Sequence, residues 1–112
     1  MKTVAFKLGG VATPGDVVSL SYSAKRGGKT SASHLVREGE TLDAVAQDLA
    51  FAVETHWCPP LFKAVKGANN DITVICADGA DDVSFSWQID HVVGANHLSL
   101  APGGDITVEI VE

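Results

Sequence analysis

The sequence predicts an α+β fold: an antiparallel β-sheet or sandwich of about seven strands, with one amphipathic helix over residues 42–55 packed on it. Three observations predict it. Apolar and polar residues alternate through short runs, which is the period of a half-buried strand. Gly, Pro, Asn and Asp cluster between those runs, where turns need them. Only the stretch 42–55 changes to apolar spacings of three and four, the period of a helix with one buried stripe.

The first strand is expected over residues 3–8, with Val4, Phe6 and Leu8 on one face. Gly9 and Gly10, then Thr13-Pro14-Gly15-Asp16, are expected to break it. A second strand over 17–23 turns Val18, Leu20 and Tyr22 inward. The tract Lys25-Arg26-Gly27-Gly28-Lys29 reads as a hairpin tip, its Gly pair supplying the positive φ of a tight turn. A third strand over 30–36 returns antiparallel to the second.

Gly39 then turns the chain and Thr41 is placed to cap the helix. Asp43 falls in the first turn, where the helix dipole favours negative charge. Leu42, Val45, Ala46, Leu49, Ala52 and Val53 form the apolar stripe, opposite Asp43, Gln47, Asp48 and Glu54. Pro59-Pro60 prevents continuation, and Trp57 is expected as a core anchor under the helix end. Strands are expected over 61–66, 72–77 and 83–89, and a closing one through Ile106, Val108 and Ile110. In the strand over 83–89, Val83, Phe85, Trp87 and Ile89 alternate with Ser84, Ser86 and Gln88. The stretch between it and the closing strand is less regular, and Pro102-Gly103-Gly104 reads as a turn.

A chain of 112 residues fits one domain spanning 1–112. It can bury roughly two thirds of its unfolded surface. A metal or disulfide framework is therefore not required for folding. The net charge of −6 disfavours phosphate backbones and anionic membranes, so neither nucleic acid nor membrane is an expected partner. Apolar runs are too short to span a bilayer as a helix. Lys7 and Gly9-Gly10 interrupt any apolar core of an export signal, so synthesis and folding in a cytoplasm are expected. Cys76 falls at an apolar strand position and reads as a small buried hydrophobe. Cys58 sits in the HWCPP loop, where a free thiol or an intersubunit disulfide are both open.

No residue set resolves into a catalytic, cofactor or metal site. His34, His56, His91 and His97 do not pair with Cys58 in a zinc-ligand spacing. His34 sits in a polar strand run, and His91 and His97 in a loop-like stretch. Asp78, Asp81 and Asp82 lack the spacing of a calcium loop and read as a solvated turn. Cys58 has no helix N-terminus beside it to activate a thiolate, and no nucleophile elbow occurs. What remains is surface. The outward strand positions are rich in Ser and Thr, poor in charge, and include Val17, Leu35, Ile75 and Val111. Such mixed faces suit contact with another layer or subunit. Lys25, Arg26, Lys29 and Cys58 are the candidate interface residues.

Residues 14–77 resemble a strand-rich module of tailed-phage virion proteins. The likeness rests on Gly15, Asp16, Val18 and Leu20, then Gly39, Glu40, Thr41 and Leu42, then Val45, Ala46, Leu49, Ala50 and Val53. The stretch FKAVKGANNDITVICA resembles the strand–turn–strand that follows in such modules. The resemblance implies a non-enzymatic structural protein of the virion, an accessory or decorating subunit of capsid or tail. Its partners would be the major shell or tube protein and copies of itself. The alternative is a carbohydrate- or cell-wall-binding module, because residues 37–50 are similar to the opening of a LysM module. The chain departs from that pattern where a strand-rich half follows the helix. Such a module also needs exposed aromatic platforms, whereas Tyr22, Trp57 and Trp87 are all expected in the core.

Overall fold

A computed structural model describes residues 2–24, 28–57, 62–67, 70–76, 83–93 and 99–112. They form β1 (Lys2–Gly10), β2 (Asp16–Ala24), β3 (Gly28–Leu35), α1 (Leu42–His56), β4 (Phe62–Lys66), β5 (Asp71–Cys76), β6 (Val83–Val93), β7 (Ser99–Pro102) and β8 (Ile106–Val111). The strands pair into two antiparallel four-stranded sheets, ordered β4-β5-β1-β8 and β3-β2-β6-β7. The α+β class and, among the described residues, the single helix are those expected.

Alternation decides which residues meet between the sheets. The first sheet buries Val4, Phe6, Leu8, Ile72, Val74, Cys76, Ile106 and Val108; the second buries Val18, Leu20, Tyr22, Ala32 and Ile89. Trp57, fully buried just past the helix, joins them. Its ring lies 6.3 Å edge-on from Phe6 of the first sheet. It lies 5.1 Å edge-on from Tyr22 of the second sheet and stacks 6.1 Å from Phe85. Each such pair contributes about 0.5–1.5 kcal/mol beyond the area it buries.

The helix lies across an open side of the sandwich. It packs mainly on β3 and β4, which are edge strands of different sheets. Val45, Ala46, Leu49, Ala50 and Val53 face inward, and the alanines let the helix backbone come close. Thr41 caps the start, its Oγ1 accepting the Ala44 N–H at 3.2 Å. The end is closed by the extended backbone of Trp57, whose N–H still reaches the Val53 carbonyl. Lys66 Nζ lies 2.5 Å from Asp43 Oδ1, tying β4 to the first turn.

Several local expectations are corrected. Among the described residues eight strands form, in keeping with the about seven expected; what changes is the stretch expected to be irregular, where β7 pairs with the end of β6 from Asp90↔Pro102 to Val93↔Ser99. Pro102 is tolerated there because β7 is an edge strand with no ladder partner beyond it. Gly9 and Gly10 do not break β1. Gly10 pairs with Ile106 at φ +80, and a Cβ there would collide with the Asp105 carbonyl. His91 lies in β6, not in a loop. Trp87 is 45% exposed rather than in the core. It faces the same way as its fully buried neighbour Leu20. However, β7 begins to pair only at Asp90, so no described strand covers β6 beside Trp87.

Candidate functional site

The outer faces of the sheets are the broadest candidate surface. In the second sheet, Ser33–Ser19–Gln88 and Ser31–Ser21–Ser86 form rows across β3, β2 and β6. Ser19 and Ser33 hydroxyls lie 2.8 Å apart, as do those of Ser21 and Ser31. These cross-strand bonds hold the hydroxyls in rows across the sheet, with Ser31, Ser33, Ser86 and Gln88 exposed. Val17 pairs with exposed Leu35 at one end of the array, and Ser23 pairs with exposed Lys29 at the other. On the first sheet, a row Val65–Thr73–Ala5–Val111 crosses all four strands. Val65 and Val111 are exposed. Phe51, on the outer side of α1, is 73% exposed.

A second feature joins strand, loop and helix. His34 lies on the inner side of edge strand β3, in the row of buried Ala32 and Val36, beneath α1. A half-buried imidazole needs a polar partner. Glu40, one residue before the helix cap, supplies it: both carboxylate oxygens lie 3.0 Å from His34 Nε2. Asp48, in the second turn of α1, places Oδ2 3.7 Å from the same nitrogen. His34 and Glu40 side chains are 13% and 15% exposed, whereas Asp48 is 57% exposed and opens the cluster to solvent. Gly39, at φ +83, shapes the turn that brings Glu40 back. The Arg37 N–H then donates to Glu40 Oε1 at 2.6 Å. Burial alone pushes the Glu40 carboxyl up. The Arg37 N–H, the His34 hydrogen bond and the charges of His34 and Arg37 outweigh it and hold the group below its usual range.

A third feature is structural. Asp16 is 1% exposed at the start of β2. His91 Nδ1 lies 2.8 Å from its Oδ1, and the Asp105 N–H donates to its Oδ2 at 2.9 Å. One carboxylate thus ties β2, β6 and the turn before β8. Gly104 passes so close that an added Cβ would lie 2.6 Å from Ile89 Cγ2 and 2.9 Å from Asp16 Oδ2.

Of the expected interface residues, Lys29 is exposed on β3 at the margin of the serine array. Lys25, Arg26 and Cys58 lie outside the described residues, as do His97, Asp78, Asp81 and Asp82. The His34–Glu40–Asp48 cluster was not expected. Its members are separated by six and eight positions, a spacing no single element brings together, and only the packing of α1 on β3 does so.

Fold and surfaces define a helix-closed β-sandwich with a serine-rich outer face on one sheet and, among the described residues, one His–carboxylate group of three. Compared with protein-family models, curated proteins and solved structures, the chain matches none.

Proposed function

We propose that this protein is a non-enzymatic structural component of a tailed-phage virion, an accessory or decorating subunit of capsid or tail. It docks on the major shell or tube protein and on copies of itself. The observation that carries the reading is the outer face of the β3-β2-β6-β7 sheet. Its serine–glutamine array is held by hydrogen bonds within the face, including those from Gln88 Nε2 to the Asp90 carboxylate, and its described charges are confined to Asp90 and Lys29 at the margins. A face wetted in a lone subunit usually carries Lys and Glu; a face that meets another protein sheds charge toward its centre. Ordered hydroxyls also lose little side-chain entropy on docking, since Ser side chains are short and these are already held.

Mass spectrometry of purified particles tests the assignment, together with sedimentation of the isolated protein. The chain is expected in the particle and in self-associated form. Ser31→Glu with Ser86→Glu places charge at exposed positions of the array and is expected to abolish incorporation while leaving the fold intact. A strictly monomeric protein absent from particles sinks the proposal.

Binding to a cell-wall glycan is the second reading, and the exposure of Trp87 favours it. Nearly half of that residue is open to solvent, and an exposed indole is the kind of group on which a sugar ring can stack. Quenching or shift of Trp87 emission by cell-wall oligosaccharides, lost in Trp87→Ala, supports this reading. No response up to millimolar sugar removes it.

A further inference from the structure

We propose that His34, Glu40 and Asp48 form a binding site for a first-row transition-metal dication of the Zn2+ type at the joint of β3 and α1. The donor set is one imidazole nitrogen and two carboxylates, and one ligand atom from each lies within 4.8 Å of the others. Imidazole selects the borderline transition dications over Ca2+ and Mg2+, which take oxygen donors.

Distances agree with that ion. Tetrahedral Zn2+ with ligands at about 2.0–2.2 Å sets neighbouring donor atoms roughly 3.3–3.5 Å apart. His34 Nε2 is 3.0 Å from the Glu40 oxygens and 3.7 Å from Asp48 Oδ2, so the required separations lie between those observed. For these two separations sub-ångström adjustments suffice. Asp48 can make them through its side chain, which is largely in solvent, while His34 and Glu40 are held by burial.

Charge points the same way. Both Glu40 oxygens lie 3.0 Å from His34 Nε2, and a carboxylate only accepts, so His34 Nε2–H donates to it. A dication takes that proton's place, the neutral ring carrying its proton on Nδ1 instead, and meets two carboxylates instead of one. Even a protonated His34 leaves the three-residue group one negative charge in excess. Among the described residues, Arg37 is a positive charge near Glu40 that opposes the ion, and it contacts Glu40 through its backbone N–H. Three protein ligands leave a position for water on the exposed side. The site is independent of what the sheet faces bind. Its effect is to join the edge strand of one sheet to the helix that closes the sandwich.

The test is titration of the chelator-treated protein with Zn2+ by calorimetry and with Co2+ by visible absorption, the latter reporting coordination number and nitrogen ligation. One equivalent is expected to bind saturably, raise the melting temperature and be removed by EDTA. Asp48→Ala changes an exposed residue, and His34→Gln keeps a hydrogen bond to Glu40. Each is expected to weaken Zn2+ binding at least ~10-fold, with His91→Ala unchanged and circular dichroism confirming the fold. Full affinity retained in either variant, Ca2+ bound as tightly as Zn2+, or no saturable binding at millimolar Zn2+ overturns the proposal.

Discussion

Asp16→Ala is the sharpest probe of how this sandwich is held. The carboxylate is 1% exposed and accepts from the Asp105 N–H while pairing with His91. A hydrogen bond to a charged group contributes about 1.5–3 kcal/mol net, so two bound the loss at roughly 3–6 kcal/mol. Two effects reduce it. The His91 side chain is 44% exposed and recovers water once released. Removing the carboxylate also removes its own burial cost. The expected loss is therefore about 2–3 kcal/mol, a large part of the roughly 5–15 kcal/mol that holds a small domain.

Urea unfolding with a shared m-value measures it. His91→Ala is expected to cost about 1 kcal/mol, and the double variant less than the sum of the two, since the pair shares one interaction. Asp16→Asn can still accept from Asp105 and is expected to fall between wild type and Asp16→Ala. A loss under about 0.5 kcal/mol in Asp16→Ala, with m unchanged, would refute the reasoning, because it places Asp16 among ordinary surface substitutions.

Three further outcomes are expected. Trp57→Phe should leave red-shifted, acrylamide-quenchable emission from exposed Trp87, and Trp87→Phe should leave blue-shifted, protected emission from Trp57; equal quenching in the two variants contradicts the placement. Gly104→Ala is expected to destabilise by about 1–3 kcal/mol through overpacking on Ile89 and Asp16, whereas Gly39→Ala meets no atom within 4 Å and should cost only about 1 kcal/mol for its positive φ; thermal melts that reverse this order refute the close approach at Gly104. Glu40 has a folded pKa below its ordinary value of about 4.5, so on acidification the unfolded chain takes up the proton first. Its stabilisation is complete above that value and is lost as pH falls through the lower folded value. Below about pH 4.5 the stability gap between wild type and Glu40→Gln should accordingly shrink with acid, and a gap that widens as pH falls through that window has the wrong sign.

The elements were legible because each carries its own period. Val4, Phe6 and Leu8 mark one face of β1 without reference to any partner, and Thr41 marks the helix start by local chemistry alone. What depended on partners was not legible. Trp87 alternates correctly with Ser86 and Gln88, yet alternation cannot tell that β7 stops short of it. Asp16 follows Pro14-Gly15 in a composition typical of solvated turns, and only its partner 75 positions away makes it a buried strut. The His34 cluster was hidden for the same reason: its three residues meet through packing between β3 and α1. The outward serines were read correctly as outward, and their bonding in pairs follows from the β2–β3 register.

The placement of β8 has a consequence for how the chain is made. Residues 5–10 of β1 pair on one side with residues 106–111. The ribosome must add roughly a hundred residues between them, which takes about 5–20 s at ordinary rates of synthesis. During that interval one edge of β1 can be neither satisfied nor shielded by its native neighbour. The Val4, Phe6 and Leu8 row likewise lacks the facing residues Val18, Leu20 and Tyr22 until β2 has emerged and the layers can close. The first sheet is therefore completed only once β8 has emerged rather than grown in order. Its vulnerable period is set by translation, and the nascent chain, more than the finished fold, is where a holding chaperone would find something to bind.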